Sequence, residues 1–426
     1  MTSERGYQEA FVWCWLPGQT TPIVAGRLTA VGRQIVFNYG QSYLRRRDAI
    51  PLYEPELPLK SGVLPLPNGL SMPSCIRDAA PDAWGRRVII NRKLGARGKE
   101  IDAAELDELT YLLESGSDRI GALDFQMSAT QYVARDQTTA TLDELLTAAD
   151  RVEKGIPLSP ELEKALLHGS SIGGARPKAM IISGDRKYIA KFSSLTDVYN
   201  VVKAEYVAMR LASEAGLDVA PVMLEKANGK DVLLIERFDR QKAKGGWRRR
   251  LMVSALTMLE LDEMMARYAS YEELATIIRH RFREPKATLK EMFARIVFNV
   301  LCGNTDDHAR NHAAFWDGKE LTLTPAYDIC PQSRSGGEAS QAMLITGGER
   351  ASKIAVCLKA APLFLITNDE AIVMIKHQIS VMHARWTAIC DEANLGEVDR
   401  RLMWGRQFLN SFAFEQAPQE IAQLAA

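Results

Sequence analysis

No two cysteines of this chain stand in a C-x-x-C arrangement; Cys14, Cys75, Cys302, Cys330, Cys357 and Cys390 are scattered singly. That spacing disfavours zinc-ribbon and dithiol redox chemistry and fits reduced thiols in a cytoplasmic protein. Neither sign of charge is in excess, with 53 Lys plus Arg against 53 Asp plus Glu. A dedicated DNA-binding protein is expected to carry a basic excess, so that class is disfavoured as well. The one dense basic run, Trp247-Arg248-Arg249-Arg250, reads as a solvated surface face. No apolar stretch approaches the ~20 residues that span a bilayer. Met1-Thr2-Ser3-Glu4-Arg5 leads into no apolar segment, so neither a signal peptide nor an anchor is expected. Low-complexity tracts and fixed-period repeats are missing too. His308 and His312 lack the Glu of an H-E-x-x-H zinc site between them.

What is present is a chain of 426 residues, 46% hydrophobic, enough for two or three packed units. Nine of its 18 prolines fall within the first 81 residues, among short β-like runs such as Arg33-Gln34-Ile35-Val36-Phe37-Asn38-Tyr39. That predicts a β-rich N-terminal unit with some helix. Helical periodicity is expected over Thr141 to Lys154 and Val201 to Gly216. From Val253 onward the pattern is largely helical, with helices expected at Leu256 to Ala266, Tyr271 to Arg281 and Ala287 to Leu301.

The chemistry-bearing stretch is Asn304-Thr305-Asp306-Asp307-His308-Ala309-Arg310-Asn311, followed by Tyr327-Asp328. Between them, Ala314-Phe315-Trp316 and Leu321-Thr322-Leu323-Thr324 flank Asp317-Gly318, a β-hairpin signal. A hairpin returns the chain to its start, so Asp328 can face Asn311 across one Mg²⁺, which takes few protein ligands and favours carboxylate and amide oxygens. Asp306 is left to orient a substrate hydroxyl and accept its proton. One base and two metal ligands are the polar parts of a phosphoryl-transfer site. The bland alternative is that Asp306 and Asn311 only cap a helix.

Upstream, Gly169-Ser170-Ser171-Ile172-Gly173-Gly174-Ala175-Arg176-Pro177-Lys178 is a glycine-rich loop whose backbone N–H groups can approach phosphate oxygens. It is not a Walker A loop, because no Gly-Lys-Ser/Thr follows at the required spacing. A plain glycine turn is the competing reading. The loop feeds a hairpin, Ala179 to Ile182 and Tyr188 to Phe192 around Gly184-Asp185, that carries Lys191 toward nucleotide phosphates. On the helix ending at Gly216, Glu205 lies beside the apolar positions and is a candidate ion-pair partner for Lys191. A further hairpin around Asn228-Gly229 runs into Glu236-Arg237-Phe238, where backbone groups can meet adenine.

These segments, in this order, resemble the HipA-type serine/threonine kinase toxins of bacterial toxin-antitoxin systems. The resemblance rests on Ser171 to Lys178, Ala190-Lys191-Phe192, Ile235 to Arg240, Asn304 to Asn311 and Leu323 to Ile329, and extends to Asp118-Arg119-Ile120-Gly121-Ala122-Leu123-Asp124-Phe125. It implies an α+β, two-lobed protein-kinase-like fold with a β-rich N-terminal subdomain over residues 1–135. The small lobe is implied over 136–240 and a mainly helical large lobe over 241–426. It implies Asp306 as catalytic base, and Asn311 and Asp328 as Mg²⁺ ligands. The implied ATP contacts are Gly173, Gly174, Ala175, Arg176, Pro177, Lys178, Lys191, Glu236, Arg237, Phe238, His308, Arg310, Asn311, Tyr327 and Asp328. The family's autophosphorylated serine falls on Ser171, with Ser170 next to it; a phosphate there, carrying roughly two negative charges, would repel ATP from the same loop. Arg176-Pro177 stands where the best-known loop has Gln-Glu, and Asp307 where it has Gly. The implied partners are a helix-turn-helix antitoxin of the HipB kind, operator DNA reached mainly through that antitoxin, and a protein substrate such as glutamyl-tRNA synthetase. A small-molecule phosphotransferase and a non-enzymatic corepressor remain as alternatives.

Overall fold

The structure is a computed structural model that describes residues 6–94, 106–135, 140–167, 171, 174–194, 197–334 and 336–425, without the side chains of Asn68, Lys164 and Leu167. Its contacts partition the chain into two units. One comprises Met1–Asp197, Glu225–Val253 and Phe315–Lys319; the other comprises Val198–Leu224, Ser254–Ala314 and Glu320–Ala426.

The first unit begins with an antiparallel sheet built from β1 (Glu9–Cys14), β2 (Ile23–Val31), β3 (Gln34–Tyr39), β4 (Val63–Leu64) and β5 (Leu123–Gln126), in the order β4-β3-β2-β1-β5. The strand expected at Arg33 to Tyr39 is β3. A second sheet, of order β6-β7-β9-β8, follows from β6 (Lys178–Ser183), β7 (Arg186–Phe192), β8 (Val222–Ala227) and β9 (Lys230–Glu236). Its hairpin turns fall where their residues predict: Gly184 takes φ 57, and Asn228-Gly229 takes φ 46 and 77, the positive dihedrals that two-residue hairpin loops require.

Helices α1 (Ala83–Leu94) and α2 (Glu108–Glu114) belong to the N-terminal region, and α3 (Leu142–Glu153) and α4 (Pro160–Leu167) precede the second sheet. A reciprocal capping box between Thr141 and Glu144 starts α3, matching the helix expected at Thr141 to Lys154. Trp84 and Val88 of α1 share one apolar core with Leu145 and Val152 of α3 and with Ala179, Tyr188, Ala190 and Phe192 of the sheet. That shared core ties α1 and α3 to the second sheet within the first unit. The hairpin around Asp317-Gly318 forms from Ala313–Trp316 and Leu321–Leu323. Its tip belongs to the first unit because Trp316 Nε1 donates to the Pro51 carbonyl at 2.8 Å.

The second unit is mainly helical: α5 (Val201–Glu214), α6 (Tyr271–Arg281), α7 (Pro285–Cys302) and α8 (Asn368–Glu392) are its longest helices. The helix expected at Leu256 to Ala266 is not continuous. Only Ala255–Met258 is α-helical, a 3-10 turn follows at Ala266–Tyr268, and Glu260 between them sits at φ 54, which no α-helix tolerates. The run Trp247 to Arg250 is also not simply solvated. Arg249 lies 3.5 Å from the centre of the Trp15 ring and Arg250 lies 3.2 Å from that of Phe315, contacts that cover apolar rings with guanidinium. No helix among the described residues is long and apolar enough to cross a membrane.

Candidate active site

In the second unit, the expected catalytic stretch hangs from the end of α7. That helix stops at Gly303, whose φ of 70 makes a left-handed cap; a Cβ there would lie 2.6 Å from the Gln407 carbonyl oxygen, so the position needs glycine. Asn304 then turns back on the helix, its N–H donating to the Asn299 carbonyl at 2.9 Å and its Nδ2 to Asn299 Oδ1 at 3.0 Å. The loop closes on the Asp306 carbonyl, which accepts from the His308 N–H at 2.8 Å and from Asn311 Nδ2 at 3.2 Å. With Nδ2 engaged, the amide oxygen of Asn311 is the atom suited to a cation.

Asp328 reaches the same loop by a separate path. Ala326 forms a parallel bridge with Val219, its N–H donating to the Asp218 carbonyl at 2.7 Å, and the Tyr327 hydroxyl donates to the Arg310 carbonyl at 2.7 Å. Asp328 follows at φ 60, a left-handed conformation uncommon for any residue but glycine and one that clusters at functional positions. Desolvation, then repulsion from the carboxylates of Asp328 and Asp307, pushes Asp306 above the usual carboxylate range, against the opposing influence of His308. Asp306 and Asp328 therefore feel each other's charge. A divalent cation would relieve that repulsion, and the Asp328 carboxylate with the Asn311 amide oxygen is a donor set that fits Mg²⁺ and leaves Asp306 as base.

Behind the loop lies a buried group that sequence reading passed over. Asp307 is 3% exposed and accepts from the Tyr271 hydroxyl and from His312 Nε2 at 3.0 Å, while the Tyr271 oxygen and His312 Nε2 are 2.9 Å apart. His312 thus acts as a hydrogen-bonded support of the loop. No local signal marked it, because an acidic residue beside a proposed base demands a partner only once it is buried, and burial comes from Tyr271 on a distant helix. His308 keeps a buried Nδ1 with no hydrogen-bond partner among the described residues, and Arg310 pairs with Glu263 at 3.0 Å.

In the first unit, the register of β6 and β7 sets Lys178 directly opposite Lys191. Ala179 and Ala190 point into the helical core, so alternation turns Lys178, Met180, Ile189 and Lys191 to the other face, joined by Leu233 and Ile235 of β9. That face carries apolar side chains and ends in two cations that are only 4% and 8% exposed.

The end of the glycine loop is tied down. Gly174 donates its N–H to Asp82 Oδ2 at 2.6 Å and accepts at its carbonyl from the Trp84 N–H at 3.2 Å. Its φ is 98, and a Cβ would run into Lys178 Nζ, so the loop backbone lies directly against that ammonium. Arg176 pairs with Asp197 at 2.7 Å, Ala175 is exposed, and the Pro177 carbonyl accepts from the Phe192 N–H at 3.0 Å. Ser171 is buried, and its Oγ has no hydrogen-bond partner among the described residues. Gly173 lies outside the described residues.

The stretch Glu236-Arg237-Phe238 divides its roles. The Arg237 N–H donates to the Lys187 carbonyl at 2.8 Å, and its guanidinium is bound by Asp118 and Asp239, so neither is available to a base. Because Arg237 bonds toward β7, alternation aims the backbone groups of Glu236 the other way. The Glu236 carboxylate holds Arg186 at 2.6 Å, and the Phe238 ring meets Phe315 edge-on with centroids 5.9 Å apart. The segment Asp118 to Phe125 proves to be structural. Asp118 accepts from Lys187, from Arg237 at 3.1 Å and from Arg240 at 2.9 Å, and Arg119 pairs with Asp124 at 3.0 Å. Burial alone would raise Asp118, but Arg237, Arg240 and Lys187 outweigh it and hold the carboxyl well below the usual range. Glu205 is buried on α5 in the second unit.

Residues 170–386 match the model of the HipA-like C-terminal domain, and residues 20–126 match that of the HipA N-terminal domain. The chain is 26% identical over 326 residues to Y4mE of Sinorhizobium fredii, a kinase by name, covering 69% of this chain and 71% of that one. It is 25% identical over 185 residues to the serine/threonine-protein kinase toxin HipA of Shewanella oneidensis, covering 37% of this chain and 42% of that protein. It also superposes on a chain from the Shewanella oneidensis MR-1 complex of HipA, HipB and operator DNA. There the TM-score is 0.66 at 19% identity, covering 94% of this chain and 97% of that one, a likeness of fold.

Proposed function

The chain belongs to the HipA family, and on that premise we propose that it is a toxin protein kinase that transfers the γ-phosphoryl group of ATP to a protein serine. The observation that supports the proposal is the catalytic loop, where Asn311 Nδ2 donates to the Asp306 carbonyl at 3.2 Å and the Tyr327 hydroxyl, next to Asp328, donates to the Arg310 carbonyl at 2.7 Å. When bound there, Mg²⁺ neutralises charge on the β- and γ-phosphates. Asp306 orients the acceptor hydroxyl and takes its proton as the serine Oγ to phosphorus bond forms and the bond to the β–γ bridging oxygen breaks, releasing ADP. Lys178 and Lys191 bind phosphate oxygens, and the apolar face they share suits a purine. Within Glu236-Arg237-Phe238, the adenine contacts fall to Glu236 and Phe238, because Arg237 is already engaged.

Ser171 is assigned as the autophosphorylation site. Its buried hydroxyl requires the glycine loop to open before Oγ reaches a phosphoryl donor, which suits an off-switch. A HipB-like helix-turn-helix antitoxin is the expected partner, supported by the company that the Shewanella HipA keeps in its complex, and DNA contact would run through it. Glutamyl-tRNA synthetase is the substrate to assay first. The direct test is induction in cells that lack the antitoxin. Wild type is expected to arrest growth and Asp306→Ala to leave it unaffected; arrest by an Asp306→Ala protein that transfers no phosphate would overturn the reading.

A further inference from the structure

Most guanidinium groups around the catalytic loop meet a carboxylate, as Arg310 does with Glu263 at 3.0 Å and Arg295 with Glu291 at 2.8 Å. Arg334 makes no hydrogen bond and no ion pair among the described residues, although it is half-buried and its Nε is closed off from water. Desolvation alone pulls its basicity below the ordinary value, with no carboxylate to restore it. An Nε–H withdrawn from water without an acceptor, on a guanidinium with no paired carboxylate, is a costly arrangement that a bound anion would relieve.

The position is specific. Arg334 lies six residues beyond Asp328, and two residues before it Gln332 donates its N–H to the Gly303 carbonyl at 3.0 Å, where α7 ends and the catalytic loop begins. Two residues of extended chain reach at most about 7 Å, so Arg334 stays beside that loop. The guanidinium is held 5.9 Å from the centre of the Phe412 ring, against which Lys353 also packs at 4.4 Å. Lys353 is balanced by Glu415 at 2.8 Å, which leaves the Arg334 charge uncompensated.

In the proposed reaction the phosphates of ATP are assigned to Lys178, Lys191 and the metal ligands, which leaves the uncompensated charge of Arg334 to the acceptor. We propose that Arg334 is a specificity-determining residue that receives an acidic side chain flanking the acceptor serine of the protein substrate. This rests on the phosphoryl-transfer reading of the site. The planar fork of Arg matches a carboxylate with two parallel hydrogen bonds, a geometry that Lys reproduces only as a point charge.

The test separates binding from transfer. A fluorescein-labelled peptide with alanine at the acceptor position and glutamate on both sides is titrated by anisotropy into the full-length protein, beside its glutamine counterpart. Wild type is expected to bind the glutamate peptide about tenfold tighter, the size of one charge-assisted contact. Arg334→Gln should abolish the difference, and Arg334→Lys should keep part of it. Arg401→Gln, the same charge change at a side chain that is 79% exposed, should leave it intact. A preference that survives Arg334→Gln, or one that Arg401→Gln weakens equally, overturns the inference. The serine versions of both peptides are then assayed for transfer with Mg²⁺-ATP. Arg334-dependent binding without any transfer would retain the acidic-side-chain site and remove the kinase reading instead.

Discussion

Replacing Asp118 by Asn takes one carboxylate from a buried cluster in which it serves Lys187, Arg237 and Arg240 together. Asp239 remains, accepting from Arg237 and Arg240 at 2.8 and 2.9 Å, so one acid is left against three buried cations. An amide cannot accept from all three, and breaking a buried pair from one side costs about 3–5 kcal/mol. Against an ordinary domain stability of about 5–15 kcal/mol, that is a large share of what holds the first unit together. The effect has a pH signature. A carboxyl held below its unfolded value stabilises in full above the unfolded pKa of about 3.9 and loses that contribution as pH falls through the folded value. The gap between wild type and Asp118→Asn should therefore be constant near neutrality and narrow only in acid. Urea unfolding followed by tryptophan emission is the assay. Trp13, Trp15, Trp84, Trp247 and Trp316, five of the seven tryptophans, lie in the first unit, and Trp247 sits 4.9 Å from Lys187 Nζ. A loss below about 1 kcal/mol, the size of a surface pair, or a gap unchanged in acid would refute the reasoning.

Gly174→Ala places a methyl against Lys178 Nζ at φ 98, and should weaken ATP binding about tenfold by calorimetry; unchanged affinity would free the loop of that role. Lys178→Met or Lys191→Met removes a charge-assisted phosphate contact worth about 1.5–3 kcal/mol, read as a rise of at least about tenfold in KM for ATP with little change in overall fold. Asn311→Ala and Asp328→Asn should each raise the Mg²⁺ concentration needed for half-maximal transfer; an unaltered metal requirement would remove them as ligands. Asp306 should titrate above the usual carboxylate range without metal and move down when Mg²⁺ binds, since the raised group keeps its proton to higher pH until the cation offsets Asp328. Carboxyl-selective carbon NMR reads that shift, and a titration unaffected by Mg²⁺ contradicts it.

Local rules made much of this molecule legible. Gly184, Asn228-Gly229 and Asp317-Gly318 mark three hairpins that form, and Thr141 with Glu144 marks the start of α3. The apposition of Lys178 and Lys191 was readable as well, because a two-residue turn at Gly184-Asp185 fixes the register. Other features depend on contacts that no short window contains. Asp118 and Arg237 are 119 positions apart, and neither announces that it will be buried. Trp84 gives no sign that it will donate to the Lys178 carbonyl and draw α1 into the core of the second sheet. Helical periodicity persists from Leu256 to Ala266, yet Glu260 adopts a left-handed conformation and divides it. At the site, Asp306, Asn311 and Asp328 stood out by spacing, whereas the support of Asp307 by Tyr271 and His312 did not, since Tyr271 arrives from a helix 36 residues away.

The central claim is phosphoryl transfer from ATP with Asp306 as base, and intact-mass spectrometry tests it most directly. Protein verified to start unmodified is incubated with Mg²⁺-ATP as wild type, Asp306→Ala and Ser171→Ala. A gain of one phosphate by wild type, absent from both variants, is the predicted result. Wild type that binds ATP and gains nothing, or an Asp306→Ala protein that gains as much as wild type, would contradict the account.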